Sequence, residues 1–383
     1  MVHVAELFSG AGGFSASFRD SPFRVCDSFD LDDAACRVYK RNNPDTRVWN
    51  VDVTTVRDFS GLAKTPDVIL AGPPCQGFSL VGMKTKRRLS IERGYNPATD
   101  PRNMLPLEVT RAAVQLKPEA VVMENVPAMN GHIVSHNGRD ILVSELVAER
   151  LEEAGYRVSE PVLIDAHEIG APQRRKRTFI IALKGSRLGT GDLAALVTKS
   201  TEGSHHSTLR SSIDDLTHYA TIPPRSYTLP SFPDHVARVP NDDDLRIVSN
   251  LLPGEDYASL VERVPQVLEG RSHKTYSTTS FRDKFYRMRW DEPSRTIVAH
   301  LQKDGNSFIH PSLNRSISVR EAARIQTFPD SFMFGVPMGH AYRLVGNAVP
   351  PLMGRFLVET VARIEGLIGE RAAEGMRFAS LVT

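Results

Sequence analysis

The sequence predicts an α/β fold: a mostly parallel sheet covered by helices on both faces, joined to a smaller, irregular domain. Short apolar runs alternate with helical patterns through the first half of the chain, the order that produces parallel strands joined by crossover helices. Between residues 186 and 313 the periodicity weakens, and it returns near the C-terminus. The predicted strands cover residues 3–8, 24–30, 47–53, 67–72, 120–125 and 177–183.

Each predicted helix has an apolar face, a start signal or a stop signal. The helix that follows residue 140 ends at Gly155, a residue typical of helix C-termini. Ser318 and Glu321 have the spacing of a capping box. The last helix begins with prolines and continues as an amphipathic repeat. The predicted helices cover residues 32–42, 103–117, 141–155, 318–328 and 350–373.

Composition limits the class of protein. The 383 residues have a net charge of +2 and 41% apolar side chains, which is ordinary for a globular protein of two domains. The number and spacing of the cysteines, Cys26, Cys36 and Cys75, argue against a disulfide framework or a metal site. No segment approaches the roughly 20 apolar residues of a membrane span, and no signal peptide is recognisable. We therefore expect a cytoplasmic protein.

The first candidate site is the turn after the first strand, in the sequence ELFSGAGGFS. Gly10, Gly12 and Gly13 allow close approach to a ligand, and a helix starting here would present free N–H groups. Asp30 ends the second strand about twenty residues later, where dinucleotide folds place an acid on the ribose, and Asp52 ends the third. The spacing departs from the pyrophosphate fingerprint, so a nucleoside without phosphates fits better. An ordinary strand–helix turn is the alternative.

Two further strands end in reactive side chains. Cys75 follows a strand within GPPCQGFS, and its two rigid prolines favour a thiol that is aimed at a substrate. Glu124 ends the strand 120–125, where an acid is costly to bury unless it is paired or functional. If the two strands are neighbours, the thiol and the carboxyl converge as nucleophile and proton-handling group. A buried structural cysteine and a salt-bridged glutamate are the alternatives.

Two basic segments complete the candidates. In QRRKR, which precedes a strand, an extended backbone would direct Arg175 and Arg177 inward, although such runs are usually solvated. The segment 83–94 has five cations against one acid and follows the candidate nucleophile. A basic loop in this position suits a lid that closes on a polyanion.

Together these motifs resemble those of bacterial-type DNA (cytosine-5)-methyltransferases. The resemblance rests on ELFSGAGGF, GPPCQGFS, ENV, QRRKR, SVREAARIQTFPD and GNAVPP, in that order, over about residues 1–185 and 290–365. It implies a Rossmann-like fold of the S-adenosylmethionine-dependent methyltransferase type. Residues 1–185, completed by a C-terminal helical segment at 340–383, would form the catalytic and cofactor-binding domain. Residues 186–339 would form a small target-recognition domain.

By this resemblance the enzyme methylates C5 of cytosine in a specific short double-stranded DNA sequence. Cys75 would attack C6 of a flipped-out base, Glu124 would contact its Watson–Crick edge, and Arg175 and Arg177 would orient the acid or the base. Arg320 and Glu321 are expected to hold the smaller domain together. The expected DNA-binding residues are Gln76, Ser79, Lys84, Lys86, Arg87, Arg88 and Thr296.

The resemblance implies S-adenosylmethionine as the methyl donor and no metal. It places Asp30 on the ribose and Asp52 near the adenine. The expected cofactor-binding residues are Phe8, Ser9, Gly10, Gly12, Gly13, Phe14, Asp30, Leu31, Asp52, Val53, Pro74, Asn347 and Ala348.

The same resemblance suggests the modification enzyme of a restriction–modification system, a monomer associated with the nucleoid. Its expected partners are double-stranded DNA and a cognate restriction endonuclease that acts on the same site. The alternatives are a tRNA cytosine-5 methyltransferase, a non-catalytic DNA-binding regulator on the same scaffold, and a dinucleotide-dependent oxidoreductase. The length of the variable segment favours a reader of DNA over the tRNA enzyme.

Overall fold

The computed structural model describes most of the chain, and its strands follow the predicted order. The described residues are 1–74, 100–186, 189–199, 207–223, 232–269 and 284–366. In chain order the described strands are β1 (Val2–Leu7), β2 (Phe23–Asp30), β3 (Arg47–Asn50), β4 (Val68–Ala71), β5 (Ala120–Asn125), β6 (Ile133–His136), β7 (Arg139–Leu142), β8 (Tyr156–Val158), β9 (Val162–Asp165), β10 (Gln173–Arg174), β11 (Lys176–Lys184) and β12 (Ser294–Arg295).

The helices begin and end largely where the local sequence signals predict. The side chain of Asp32 accepts hydrogen bonds from Ala34 N and Ala35 N and caps the first helix. Ser318 and Glu321 form the predicted capping box. The described helices are α1 (Asp33–Asn42), α2 (Pro106–Leu116), α3 (Val143–Glu153), α4 (Thr190–Lys199), α5 (Leu209–Ile213), α6 (Asp242–Asn250), α7 (Tyr257–Arg263), α8 (Leu301–Asp304), α9 (Val319–Ile325), α10 (Met338–Asn347) and α11 (Pro351–Ile364).

Within the described residues, eight strands form one sheet in the order β3-β2-β1-β4-β5-β11-β8, with β9 also paired to β11. Strands β3, β2, β1, β4 and β5 are mutually parallel. Strand β11 runs antiparallel to β5, β8 and β9. The prediction of an α/β fold built on a mostly parallel sheet is confirmed.

The strand order reverses at β1, which lies between β2 and β4. Open α/β sheets bind ligands outside the carboxyl ends of the strands at such a reversal, because adjacent loops leave in opposite directions and open a crevice. The backbone N–H of Gly72, just beyond β4, donates to Leu7 O at 3.2 Å. The last residues of β1 and β4 therefore define the floor of this crevice.

The core of the sheet is apolar. All four residues of β4, VILA, are buried, as expected for a central strand of a parallel sheet. Buried side chains from α2 and α3 pack in the same cluster. Its members from the central strands and these helices include Leu7, Ile69, Val121, Ile180, Val109, Ala113, Leu146 and Leu151.

The structure differs from the predictions in three local features. A helix was expected after Gly13, but the described residues 10–17 form successive turns, with positive φ angles at Gly10 and Gly12. The Ser15 hydroxyl donates to the local carbonyl of Gly12, and the Ser17 hydroxyl donates to the distant carbonyl of Pro351. The predicted helix 103–117 begins at Pro106, because a proline lacks the N–H of a helix interior. Strands β6 to β9 were not predicted, since they are only three or four residues long.

The described residues divide into two compact units. The first contains those within Met1–Ile169, Lys176–His205 and Val349–Ala379, and the second those within Gly170–Arg175 and His206–Ala348. The short segment before β11 belongs to the second unit because β10 pairs with β12. The predicted domain limits and the target-recognition role of residues 186–339 stay predictions.

The second unit is stabilised by buried polar side chains as well as by a small apolar cluster. Arg320, which is fully buried, donates to the carbonyls of Pro233 and Phe332, and Glu321 accepts from both terminal nitrogens of Arg315 at 2.7 Å. These bonds lie within the unit and give the two residues the structural role expected of them. Among the described residues, no helix is long and apolar enough to cross a membrane.

Candidate active site at the carboxyl edge of the sheet

Five positions, one from each of the five parallel strands, lie at or just beyond the carboxyl ends of those strands. Phe8 begins the turn after β1, Asp30 ends β2, Asp52 follows β3, Gly72 follows β4 and Glu124 lies near the end of β5. Because the strands are parallel, these positions lie at the same edge of the sheet. Strand order alone therefore places the predicted donor turn and the predicted catalytic acid at one edge.

The glycine turn is tied to β2 by Asp30. The N–H of Gly10 donates to Asp30 Oδ2 at 2.7 Å, and the N–H of Asp32 donates to Oδ1 at 2.8 Å. Phe8, Gly10 and Gly12 all have positive φ angles, of 55°, 55° and 93°. Burial raises the pKa of Asp30, while the two backbone donors oppose that rise. Asp30 also has a backbone hydrogen bond with Leu31. Since a carboxylate has about four lone-pair sites, it can still accept a hydrogen bond from a ligand hydroxyl.

Space and apolar surface are available beside this turn. A Cβ atom placed on Gly10 would meet nothing within 4 Å. Leu31, next to Asp30, is 69% exposed. A nucleoside needs hydroxyl acceptors together with an apolar surface for its base, so the residues present fit the adenosyl part of a methyl donor.

The remaining predicted donor residues of the first unit have structural contacts of their own. Ser9 Oγ donates to Phe29 O at 3.3 Å, and Asp52 accepts from both N and Oγ1 of Thr54. Phe14 and Val53 are buried, and Pro74 is half-buried. A Cβ on Gly354 of α11 would lie 2.8 Å from Phe14 Cα, so α11 packs directly on the turn.

Glu124 is held by Arg177. The Nε atom of Arg177 lies 2.7 Å from Glu124 Oε1, and the two side chains are only 13% and 12% exposed. The second oxygen, Oε2, lies 3.8 Å from the position of a Cβ on Gly72, and the Phe8 carbonyl oxygen lies 3.8 Å from the same point. One carboxylate oxygen thus binds the arginine, while the other lies beside Gly72 at the start of the β4 turn.

Comparison with known proteins identifies the family. The profile described as C-5 cytosine-specific DNA methylase matches residues 2–363. This chain belongs to the C-5 cytosine-specific DNA methylases. The methylase is therefore an enzyme, DNA is its substrate, and the family and fold support S-adenosylmethionine as its methyl donor. The family predicted from the sequence motifs is confirmed.

Three relatives match the methylase over 80% to 99% of their own length. It is 29% identical to type II methyltransferase M.AgeI of Thalassovita gelatinovora, covering 94% of this chain and 99% of the relative. It is 31% identical to type II methyltransferase M1.HphI of Haemophilus parahaemolyticus, covering 94% and 86%. It is 30% identical to type II methyltransferase M.Eco47II of Escherichia coli, covering 96% and 80%.

Solved structures share the fold of the methylase at low sequence identity. A protein encoded within an Escherichia coli prophage gives a TM-score of 0.68 at 21% identity, covering 96% of this chain and 100% of that one. The Dnmt2 methyltransferase of S. pombe gives 0.59 at 15% identity, covering 96% and 100%. These likenesses support the fold.

Arg175 of the methylase has a different environment from Arg177. It is 2% exposed and donates to the carbonyls of Ile297 at 2.9 Å and of Gly346 and Ala348 at 3.0 Å, all within the second unit. As predicted for the basic run, Arg175 and Arg177 are buried and half-buried, whereas Arg174 and Lys176 are exposed. The catalytic role of Arg175 stays a prediction.

Three other predicted residues belong to the second unit: Thr296 lies beside β10, and Asn347 and Ala348 lie at the end of α10. Thr296 Oγ1 donates to Arg174 O at 2.7 Å, alongside the pairing of β10 with β12. Asn347 is exposed at the end of α10, and Ala348 is half-buried after it. Their predicted contacts with DNA and with the donor stay predictions.

Asn125 was missed by the sequence analysis. It is 1% exposed, its Nδ2 donates to Pro73 O at 3.2 Å, and its Oδ1 accepts from Val126 N at 2.8 Å. This side chain joins the end of β5, next to Glu124, to the proline turn after β4. The available signals were its place in the ENV motif and a polar side chain at the buried end of a strand.

The predicted nucleophile and most of the predicted DNA contacts lie outside the described residues. These are Cys75, Gln76, Ser79, Lys84, Lys86, Arg87 and Arg88. Of the other cysteines, Cys36 is buried and burial raises the pKa of its thiol to about 11, so this thiol stays protonated and unreactive near neutral pH. In the described part of the chain, no group of three or more His, Cys, Asp or Glu residues could hold a metal ion.

Proposed function

We propose that the methylase transfers a methyl group from S-adenosylmethionine to C5 of a cytosine within a specific short duplex sequence. The observation that supports this most directly is the position of Glu124. Its Oε1 binds Arg177, and its Oε2 approaches Gly72, three residues before Cys75 in the sequence. Acid, donor turn and proline turn therefore belong to one crevice at the switch point of the sheet.

In this proposal Cys75 is the nucleophile. Its thiolate forms a bond to C6 of cytosine, and the electron pair of the C5–C6 double bond makes C5 an enamine-like carbon that can accept a methyl group. S-adenosylmethionine, when bound, would supply that methyl group as an electrophile, and its sulfur–methyl bond would break to leave S-adenosylhomocysteine. Loss of the C5 proton to a base and cleavage of the C6–S bond then restore the aromatic ring and the free thiolate.

Glu124 and Arg177 assist the attack from the Watson–Crick edge of the base. A carboxyl group hydrogen-bonded at N3 favours protonation there, and a protonated ring accepts the thiolate more readily at C6. The short contact with Arg177 orients the carboxyl group, and both side chains are largely shielded from water. We assign to Arg175 the same supporting role predicted from its motif.

The donor would be held at the glycine turn. Asp30 would accept ribose hydroxyls, Leu31 would cover one face of the adenine, and Asp52 would lie near the adenine edge. The proposed donor-binding residues are Phe8, Ser9, Gly10, Gly12, Gly13, Phe14, Asp30, Leu31, Asp52, Val53, Pro74, Asn347 and Ala348.

Access to the target atom requires that the cytosine leave the duplex. Flipping a base costs a few kcal/mol, which contacts with the DNA backbone offset. We assign those contacts to Gln76, Ser79, Thr296 and the basic segment 83–94, and sequence recognition to residues 186–339. Since three relatives are named type II methyltransferases, we propose that the methylase is the modification enzyme of a restriction–modification system and acts as a monomer.

Two experiments test the proposal. Bisulfite sequencing of plasmid DNA from a methylation-free host that expresses the chain should show protected cytosines at one short sequence. An oligonucleotide with that sequence and 5-fluorocytosine at the target should form a covalent adduct at Cys75, and Cys75→Ala should abolish transfer while retaining DNA binding. Transfer by the alanine variant, an adduct elsewhere, or methylation of tRNA but not DNA would contradict the proposal.

A further inference from the structure

Three buried polar side chains beneath the glycine turn have no part in the proposed chemistry. Glu6 lies on β1, Tyr39 on α1 and Ser15 in the turn, and they are 0%, 0% and 3% exposed. The Tyr39 hydroxyl donates to Glu6 Oε2 at 2.7 Å and lies 3.0 Å from Ser15 Oγ. The three groups form one hydrogen-bonded row that ends inside the turn.

The ring of Tyr39 supports the backbone of the turn at Gly12. A Cβ on Gly12 would lie 3.0 Å from Tyr39 Cε2 and 3.3 Å from Ser15 Oγ, so ring and backbone are in direct contact. Gly12 also has a φ angle of 93°, which side chains rarely adopt. The tyrosine ring therefore packs against the turn at Gly12.

Glu6 is an unusual acid because it is completely buried. Within the described part of the chain its Oε1 has no hydrogen-bond partner, and burial raises its pKa to about 7. The titratable groups that face it are Tyr39 from α1 and Asp30 from β2, whose negative charge raises the pKa further. Its other strand neighbours, Ser28 on β2 and Leu70 on β4, do not titrate.

We propose that Glu6 is a positioning residue for the methyl donor: through the Tyr39 hydroxyl it holds the turn at Gly12 in the form that binds the donor. This inference rests on the proposed location of the donor at the glycine turn. The ionised carboxylate accepts a charge-assisted hydrogen bond from Tyr39. The protonated carboxyl can donate to Tyr39 instead, which reverses the row toward Ser15 and loosens its hold on Gly12.

Donor-site affinity should therefore follow the ionisation of Glu6. We expect S-adenosylhomocysteine, used as a non-reacting probe in titration calorimetry, to bind the wild-type protein about tenfold more tightly at about pH 8 than at about pH 6. Glu6→Gln keeps the shape of the side chain but cannot ionise, so its dissociation constant should be nearly independent of pH. Tyr39→Phe keeps the ring under Gly12 but removes the hydroxyl that joins this ring to Glu6, and it should also flatten the profile.

The matched control is Glu359→Gln. Glu359 lies on α11, is also buried, and has a pKa raised by burial, but it is paired with Arg355. This variant should keep the wild-type pH profile. Thermal denaturation of all three variants confirms that they are folded before binding is measured.

The outcomes separate this inference from the proposed function. A wild-type pH profile in both Glu6→Gln and Tyr39→Phe would overturn the role of Glu6 and leave the donor site in place. An equally flat profile in the Glu359 control would also overturn it. If the wild-type protein binds no S-adenosylhomocysteine at any pH, the location of the donor site fails first, and the inference fails with it.

Discussion

Arg177 allows a sharp test of the site because its ion pair with Glu124 is largely shielded from water. The Nε atom lies 2.7 Å from Oε1, and the side chains are 13% and 12% exposed. At that distance the attraction is about 6 kcal/mol for an effective dielectric constant of about 20, before desolvation of both charges is subtracted. We expect Arg177→Ala to lower the free energy of unfolding by about 2–3 kcal/mol, because it leaves a shielded carboxylate without this cation.

The same substitution removes the group that orients Glu124. A displacement of about 1 Å in a positioned catalytic group costs about a hundredfold in rate, so single-turnover methyl transfer should slow by that factor. Urea denaturation measures the first effect and a tritiated-methyl assay measures the second. The matched control is Arg139→Ala, since Arg139 and Glu149 form an exposed pair at 2.9 Å, worth less than about 1 kcal/mol.

A double-mutant cycle decides whether the two side chains act as a pair. Arg177→Ala combined with Glu124→Gln should show a coupling energy of at least about 1 kcal/mol in unfolding. A coupling near zero, or a loss in Arg177→Ala no larger than in the Arg139 control, would refute the reasoning from this ion pair.

Three other predictions follow from the described geometry. Asn125→Asp loses the amide donor to Pro73 O and should slow adduct formation with 5-fluorocytosine DNA about tenfold or more while donor binding, measured by calorimetry, is unchanged. Gly72→Ala should cost less than about 1 kcal/mol in urea denaturation, since its new contacts are all 3.8 Å or longer, but should slow transfer by placing a methyl group in the crevice. Burial lowers the pKa of His310 to about 4, below the unfolded value of about 6.5, so the unfolded chain binds the extra proton. Stability should therefore fall between about pH 6.5 and pH 4, and less steeply in His310→Gln.

The sequence was informative wherever local chemistry decides structure. All six predicted strands lie within two residues of observed strands at their starts, because short apolar runs such as VILA are typical of central strands in a parallel sheet. The capping box at Ser318 is a contact between residues three apart, so the sequence contains both partners. The acid at the end of β2 could also be predicted, because the carboxyl ends of the strands define the binding edge of the sheet.

The sequence could not reveal contacts between distant segments. Asn125 binds a carbonyl 52 residues away, and nothing near it in sequence indicates that partner. Glu6 looks like an ordinary strand residue until Tyr39, 33 residues later, is found against it. The irregular turns after Gly13 depend on Ser17 Oγ, which donates to the carbonyl of Pro351. Each of these depends on tertiary packing.

The antiparallel direction of β11 explains why the basic motif precedes its strand. The other acids and turns of the proposed site in the first unit lie at or just beyond the last residues of their strands, because the carboxyl ends of parallel strands meet at one edge. Strand β11 runs the other way, so its first residues lie at that same edge. Phe179 pairs with Glu124 in the ladder, and Arg177, two residues earlier on the same face, is the diagonal neighbour of the acid. The antiparallel direction of β11 thus places a cation at the carboxyl edge of the parallel strands. The 2.7 Å contact between Arg177 and Glu124 follows from the direction and register of this strand.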